Sequence, residues 1–233
     1  MKKIGIMTTG GDCSGLNTVI QRIYRGATLR GWHVIGILDG TDGLCTTPPR
    51  VIEFDNETLP IECARMAGSF LHNGHAQALN FETAAETGRL NDFNKQLRKS
   101  LNELKLDAII LIGGNGSISL AWRNREIYSG LQLICIPKTI DMDIPLTDKT
   151  IGFNTAVQQL TSFCDQLMLT ARSHHRWFVV QTMGRECGQL ALNAGIAIGA
   201  TAILIPEIKF NVDSMIAHIK NAPRDYGIIL VSE

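Results

Sequence analysis

A chain of 233 residues, 45% of them hydrophobic, can bury a sizeable core as one large or two small domains. Its 22 basic and 22 acidic residues cancel and are mixed along the chain, so nothing points to a nucleic-acid partner. No stretch approaches the ~20 apolar residues needed to cross a bilayer, so no membrane partner is expected. The apolar run after Met1-Lys2-Lys3 is also too short for a signal peptide before Gly10 interrupts it. The six cysteines are scattered, with no Cys-x-x-Cys pair and no zinc spacing with the six histidines. Reduced thiols in a cytoplasmic protein are the expected state.

In chain order, short apolar runs alternate with helical patterns. Residues 3–7 read as a strand, followed by the turn Gly10-Gly11-Asp12-Cys13-Ser14-Gly15. Leu16, Val19, Ile20, Ile23, Tyr24 and Ala27 then form an apolar face at helical spacing, with Gly31 as a stop. After a strand at 33–38, residues 39–77 are irregular and glycine-rich, and are expected to supply loops at a cleft. Leu90, Phe93, Leu97, Leu101 and Leu104 mark a second helix. A strand at 107–112 leads into Gly113-Gly114-Asn115-Gly116-Ser117, and a strand at 131–136 leads into Pro137-Lys138-Thr139-Ile140-Asp141-Met142-Asp143. Val157, Leu160, Phe163 and Leu167 mark a further helix. Strands follow at 177–181, 202–205 and 227–231. The helical faces are expected to be core. Continuous apolar strands suit a parallel sheet covered on both faces. Their alternation with helices predicts a doubly wound α/β fold with mostly parallel sheets and right-handed crossovers. The last strand has no helix after it, so Ile228, Ile229, Leu230 and Val231 are expected to need cover from another segment or another chain.

Three polar segments fall at strand carboxyl ends, where open α/β sheets place their chemistry. At 137–143, Asp141 and Asp143 stand two residues apart beside the hydroxyl of Thr139 and the cation of Lys138. That set can deprotonate an alcohol while a metal and a positive charge hold a phosphate. Taken alone, the same cluster reads as a solvated turn. The two glycine turns let backbone N–H groups approach an anion at a helix N-terminus, although either alone could simply link a strand to a helix. Together the three suggest one phosphate-handling site. Neither turn carries the Gly-Lys-Ser/Thr of a P-loop or the spaced glycines of a dinucleotide fold, so ordinary P-loop kinases and dehydrogenases are disfavoured.

Residues 10–17, 113–117, 137–143, Met183-Gly184-Arg185 and Ile205-Pro206-Glu207 together resemble the phosphofructokinase family, in its order and near its spacings. The Thr-Ile-Asp-x-Asp and Met-Gly-Arg segments are the specific part. The resemblance implies two Rossmann-like domains, a phosphoryl-donor domain at 1–150 and a sugar-phosphate domain at 151–233, the second incomplete relative to the family. It implies transfer of a phosphoryl group from ATP or pyrophosphate to the C1 hydroxyl of fructose 6-phosphate, with Mg²⁺, in a cytoplasmic homo-oligomer (dimer or tetramer). Asp141 would take the proton from the sugar hydroxyl, with Thr139 and Arg185 beside the transferring group. Gly11, Gly114, Gly116, Ser117 and Lys138 would serve the donor phosphates. Met183, Gly184, Arg185 and Glu207 would line the sugar site, and Arg176 would reach the sugar phosphate of a neighbouring subunit. Asp143 and Asn115 would support the metal.

The chain departs from the family pattern at two places. Asn115 stands where an aspartate is usual and would hold Mg²⁺ less strongly. No arginine follows Gly68-Ser69-Phe70-Leu71 before Arg89, and His75 is the candidate for that place. The small Gly116 matches ATP users and Lys138 the pyrophosphate branch, and ATP is the preferred donor. The departures and the early end also fit a second reading, a catalytically impaired binding or regulatory subunit of the same family.

Overall fold

The apolar runs that open the chain fold as parallel strands because both of their faces are covered. The computed structural model describes residues 1–74 and 90–233, so His75 and residues 75–77 of the irregular stretch lie outside the described residues. The chain divides into two compact units, residues 1–138 and 139–233, where the sequence reading put a domain boundary after residue 150. Residues 139–150 close on themselves: the Thr150 hydroxyl donates to the Thr139 carbonyl at 2.6 Å, which ties this polar segment together within the second unit.

In the first unit the strands are β1 (Lys3–Thr8), β2 (His33–Ile37), β3 (Val51–Glu53), β4 (Ala108–Gly113) and β5 (Gln132–Thr139). Their order is β3-β2-β1-β4-β5. β1 pairs in parallel with β2 and with β4, β4 in parallel with β5, and β3 antiparallel with β2. β3 was not anticipated. It is a three-residue edge strand with half-exposed side chains, too short for a period to show. Helix α1 (Leu16–Thr28) buries Leu16, Ile20, Tyr24 and Ala27, and also Asn17 and Gln21, whose side-chain amides donate to the carbonyls of Met66 and Leu59. After the short α2 (Gly40–Leu44), α3 (Leu90–Leu104) sets Leu97 and Leu101 in a core with Met7, Ile37, Leu44, Ile109 and Leu111. α4 (Asn115–Arg123) follows β4 directly.

In the second unit, β6 (Ile151–Gly152) leads into α5 (Phe153–His174). Then come β7 (Trp177–Thr182), α6 (Gln189–Ile198), β8 (Ala202–Leu204), α7 (Val212–Lys220) and β9 (Gly227–Ser232). The three-stranded parallel sheet runs β7-β9-β8. The expectation that the last strand needs outside cover is corrected here. β9 is the middle strand, and Ile228, Ile229 and Leu230 are buried by its neighbours and by α5 and α6. A second correction concerns α5. Cys164 is its buried centre, with Leu160, Leu167 and Met168 beside it, whereas Phe163 is 61% exposed. α5 and α6 pack on the sheet face that carries Ile228 and Leu230, and Val179, on the other face, is 68% exposed. Among the described residues no helix is long and apolar enough to cross a membrane.

Candidate functional site

In the first unit, the carboxyl ends of β1, β4 and β5 bring the two glycine turns and one lysine together. Lys138, at 4% exposure, donates from Nζ to the Gly11 carbonyl. A Cβ built on Gly10 would lie 3.5 Å from Lys138 Nζ and 3.7 Å from Ser117 Oγ, so Ser117 in the first turn of α4 reaches the same spot. Gly10 has φ 77°, where a side chain would be strained. Around Gly11 and Gly116 no described residue lies within 4 Å of an added Cβ. Gly114 approaches the Lys138 carbonyl, 3.3 Å from where its Cβ would be. Asn115, exposed at the start of α4, accepts a hydrogen bond from Ser119 Oγ at 3.3 Å. Exposed backbone amides at helix N-termini beside a cation form an anion site. Burial pushes the nearby Cys13 thiol up to about 11, so at neutral pH it is protonated and no nucleophile.

In the second unit, Thr139 ends β5, and its Oγ1 accepts the Asp141 backbone N–H at 3.0 Å. Met142, at φ 62°, turns the chain sharply between Asp141 and Asp143. Burial first, then the charge of Asp143, raises the Asp141 carboxyl above its ordinary range; the Thr139 hydroxyl and the Arg185 cation pull it back. A carboxylate held up in this way is a better proton acceptor near neutrality. After β7 the chain bends through Gly184 (φ 150°), whose Cβ would meet the Cys187 carbonyl at 2.5 Å, and Arg185 (φ 52°). Met183 is 61% exposed. The Arg185 backbone N–H donates to Glu233 Oε1 at 3.1 Å, and the Glu233 charge also acts on Asp141. Glu207 Oε1 accepts the Gly188 N–H at 2.8 Å, just ahead of α6, where a carboxylate is favoured. The Cys187 thiol is raised by burial and feels the charges of Glu207, Asp143 and Asp141.

Of the anticipated residues, the structure therefore gathers Thr139, Asp141, Asp143, Gly184, Arg185 and Glu207 in one electrostatic neighbourhood. It does not bring Arg176 to them. Arg176 is exposed and precedes β7, whereas Met183 and Arg185 follow it, so the strand's six residues, roughly 20 Å, lie between. Glu233 was missed in the sequence, since a single glutamate after an apolar run carries no motif.

Two arrangements thus stand at the carboxyl ends of parallel strands, a pair of glycine turns beside Lys138 and an acid pair beside Arg185. The chain belongs to the phosphofructokinase family, whose model ("PFK: Phosphofructokinase") matches residues 3–233. It is 39% identical over 235 residues to the ATP-dependent 6-phosphofructokinase 1 of Nostoc sp.. It is 38% identical over 237 residues to the enzyme of the same name from Synechocystis sp.. Both matches cover 100% of this chain and 65% of the relative, so the chain spans just under two thirds of their length. Its fold is similar to that of the phosphofructokinase of Saccharomyces cerevisiae, with TM-score 0.83 and 27% identity, over 100% of this chain and 34% of that one. A pyrophosphate-dependent phosphofructokinase from Nitrosospira multiformis shares the fold with TM-score 0.84 at 18% identity, over 100% of this chain and 60% of that one.

Proposed function

We propose that this chain carries 6-phosphofructokinase chemistry, passing a phosphoryl group from ATP to the C1 hydroxyl of fructose 6-phosphate in cytoplasmic glycolysis. The observation that carries it is Asp141, raised by burial and by Asp143, held by Thr139 and flanked by Arg185. The first unit would hold the donor: Gly11, Gly114 and Gly116 offer backbone, Ser117 a hydroxyl and Lys138 a cation. In the second, Asp141 would take the sugar proton, Thr139 would orient the incoming phosphoryl group, and Arg185 would offset its charge. Met183 and Gly184 would line the sugar. Arg176, at the far end of β7, would serve a neighbouring subunit.

Among the described residues no three His, Cys, Asp or Glu gather as a metal site. The carboxylate of Asp143, in the second unit, and the amide oxygen of Asn115, in the first, are each the hard kind of oxygen that Mg²⁺ takes, and the ion commonly completes its shell with water and phosphate. When bound, the ion would neutralise charge on the donor phosphates. A coupled assay with fructose 6-phosphate, run separately with MgATP and with pyrophosphate, tests the whole reading. No turnover with either, together with retained ligand binding, would favour the regulatory-subunit reading, which Asn115 supports.

Three further outcomes follow from these assignments. Gly116→Asp should lower ATP use at least about tenfold more than pyrophosphate use, because its added Cβ meets no described residue within 4 Å and its carboxylate repels the nucleotide's phosphates. Comparing kcat/KM for the two donors checks it, and a parent active only with pyrophosphate would hand the donor choice to Lys138. Between the two glutamates, each with one oxygen held by a backbone N–H, Glu233→Gln should lower kcat with fructose 6-phosphate more than Glu207→Gln, because the Glu233 charge helps to raise Asp141. Saturation kinetics with the sugar phosphate on both variants decide it. Light scattering should also show a dimer or tetramer, since the exposed Arg176 stands apart from the other sugar-site residues of its own chain. A monomer that binds fructose 6-phosphate at micromolar concentration would remove Arg176 from the site.

A further inference from the structure

Thr9 follows β1 and is 8% exposed, and its backbone N–H is fixed by the Ile112 carbonyl at 3.0 Å. The orientation of its side chain is readable from the glycines around it. The γ-methyl lies toward Gly40, where an added Cβ would be 2.8 Å from it. The hydroxyl lies toward Gly113, where an added Cβ would be 2.6 Å from Oγ1. The same point above Gly113 is 2.7 Å from Ser117 Cβ and 3.2 Å from Ser117 Oγ. Two hydroxyls therefore converge above a residue that has no side chain to separate them.

Thr9 Oγ1 is buried and has no hydrogen-bond partner among the described residues. Its neighbour shows what satisfaction looks like here: Thr8 Oγ1 meets Ser69 Oγ at 2.7 Å and donates to the His72 carbonyl at 2.8 Å. A buried hydroxyl without a partner is destabilising, and a valine would fill the same shape without that cost. The side chain is thus polar where the fold alone asks for an apolar one, and the polar end is the one turned to the phosphate turn.

We infer that Thr9 is a positioning residue for the phosphoryl donor, acting through Ser117. A serine hydroxyl has one proton to give and two lone pairs to receive. When Ser117 donates to a phosphate oxygen, its lone pairs face the Thr9 hydroxyl, which donates to Ser117 Oγ across Gly113. The phosphate charge strengthens both bonds of the chain. The inference rests on the reading of the two glycine turns as the donor site.

The test compares Thr9→Val, Thr9→Ser, Ser117→Ala and the Thr9→Val/Ser117→Ala double variant in the full chain. Calorimetric titration with MgATP and with inorganic pyrophosphate gives donor affinity, and fructose 6-phosphate binding and Tm serve as controls. Thr9→Val should weaken donor binding about tenfold, with Tm at or above the parent's and sugar binding unchanged. Thr9→Ser should restore affinity. The double variant should lose no more than Ser117→Ala alone, because one hydroxyl works through the other. Parent-like donor binding by Thr9→Val, additive losses in the double variant, or a fall in Tm and sugar binding that Thr9→Ser fails to rescue would each overturn the inference while leaving the donor-site reading intact. A parent that binds neither MgATP nor pyrophosphate would remove that reading, and the role of Thr9 with it.

Discussion

Asp141→Asn is expected to lower kcat with fructose 6-phosphate by about 10²–10⁴-fold, the usual loss when a positioned general base is removed. The substitution keeps shape and volume, and the backbone N–H of residue 141 still meets Thr139 Oγ1, so the turn should survive. It also removes one of two neighbouring carboxylates, relieving the repulsion that helps to raise Asp141. Tm should therefore stay level or rise while turnover collapses. Kinetics on the purified variant beside a thermal melt separate these outcomes. Activity within a few-fold of the parent would show that the proton leaves by another route.

The second large effect is expected at Arg185. Its cation acts on Asp141 and is the positive group assigned to the transferring phosphoryl. Losing one such stabilising group typically costs about 10²–10³-fold in kcat. The backbone offers an internal control, because Arg185 sits at φ 52°, a left-handed conformation that costs a non-glycine residue roughly 1–2 kcal/mol. Arg185→Gly should then gain stability while losing turnover, whereas Arg185→Ala should lose turnover without that gain. Equal kcat in the parent and both variants would mean that the strained backbone, not the guanidinium, is what the position requires. Arg185→Lys should recover only part of the rate, since an ammonium lacks the planar fork.

The parallel strands were legible because a chain buried on both faces must be apolar along its length, and residues 4–7, 34–38, 108–112 and 227–231 are. What escaped were features that depend on distant neighbours. β3 has half-exposed residues and exists because β2 needs an edge partner. Phe163 fits the helical period but is left outside, because Cys164 takes the central place over Ile228 and Leu230. The order β7-β9-β8 leaves no mark on any single strand. In the site, Asp141, Asp143 and Lys138 were readable as charges bunched after an apolar run. Glu233 was not, because its significance comes from Arg185, 48 residues away. The hydrogen bond from Gly188 to Glu207 was hidden for the same reason, since the two stand 19 residues apart.

The position of β9 has a consequence for how the chain is made. Among the described residues β7 and β8 do not pair with each other, and each pairs with β9 alone. On a ribosome, the first unit can assemble β1, β2 and β4 while later codons are still being read. The second unit has no sheet until residues 227–232 emerge. At about 5–20 residues per second, the ninety or so residues after Lys138 take roughly 5–20 s to synthesise. During that interval Phe178, Val180 and Ile203 have no strand between them. A nascent chain stalled before residue 227 should therefore be protease-resistant over its first unit and open to cleavage over its second, and chaperones that shield apolar strands should find their target there.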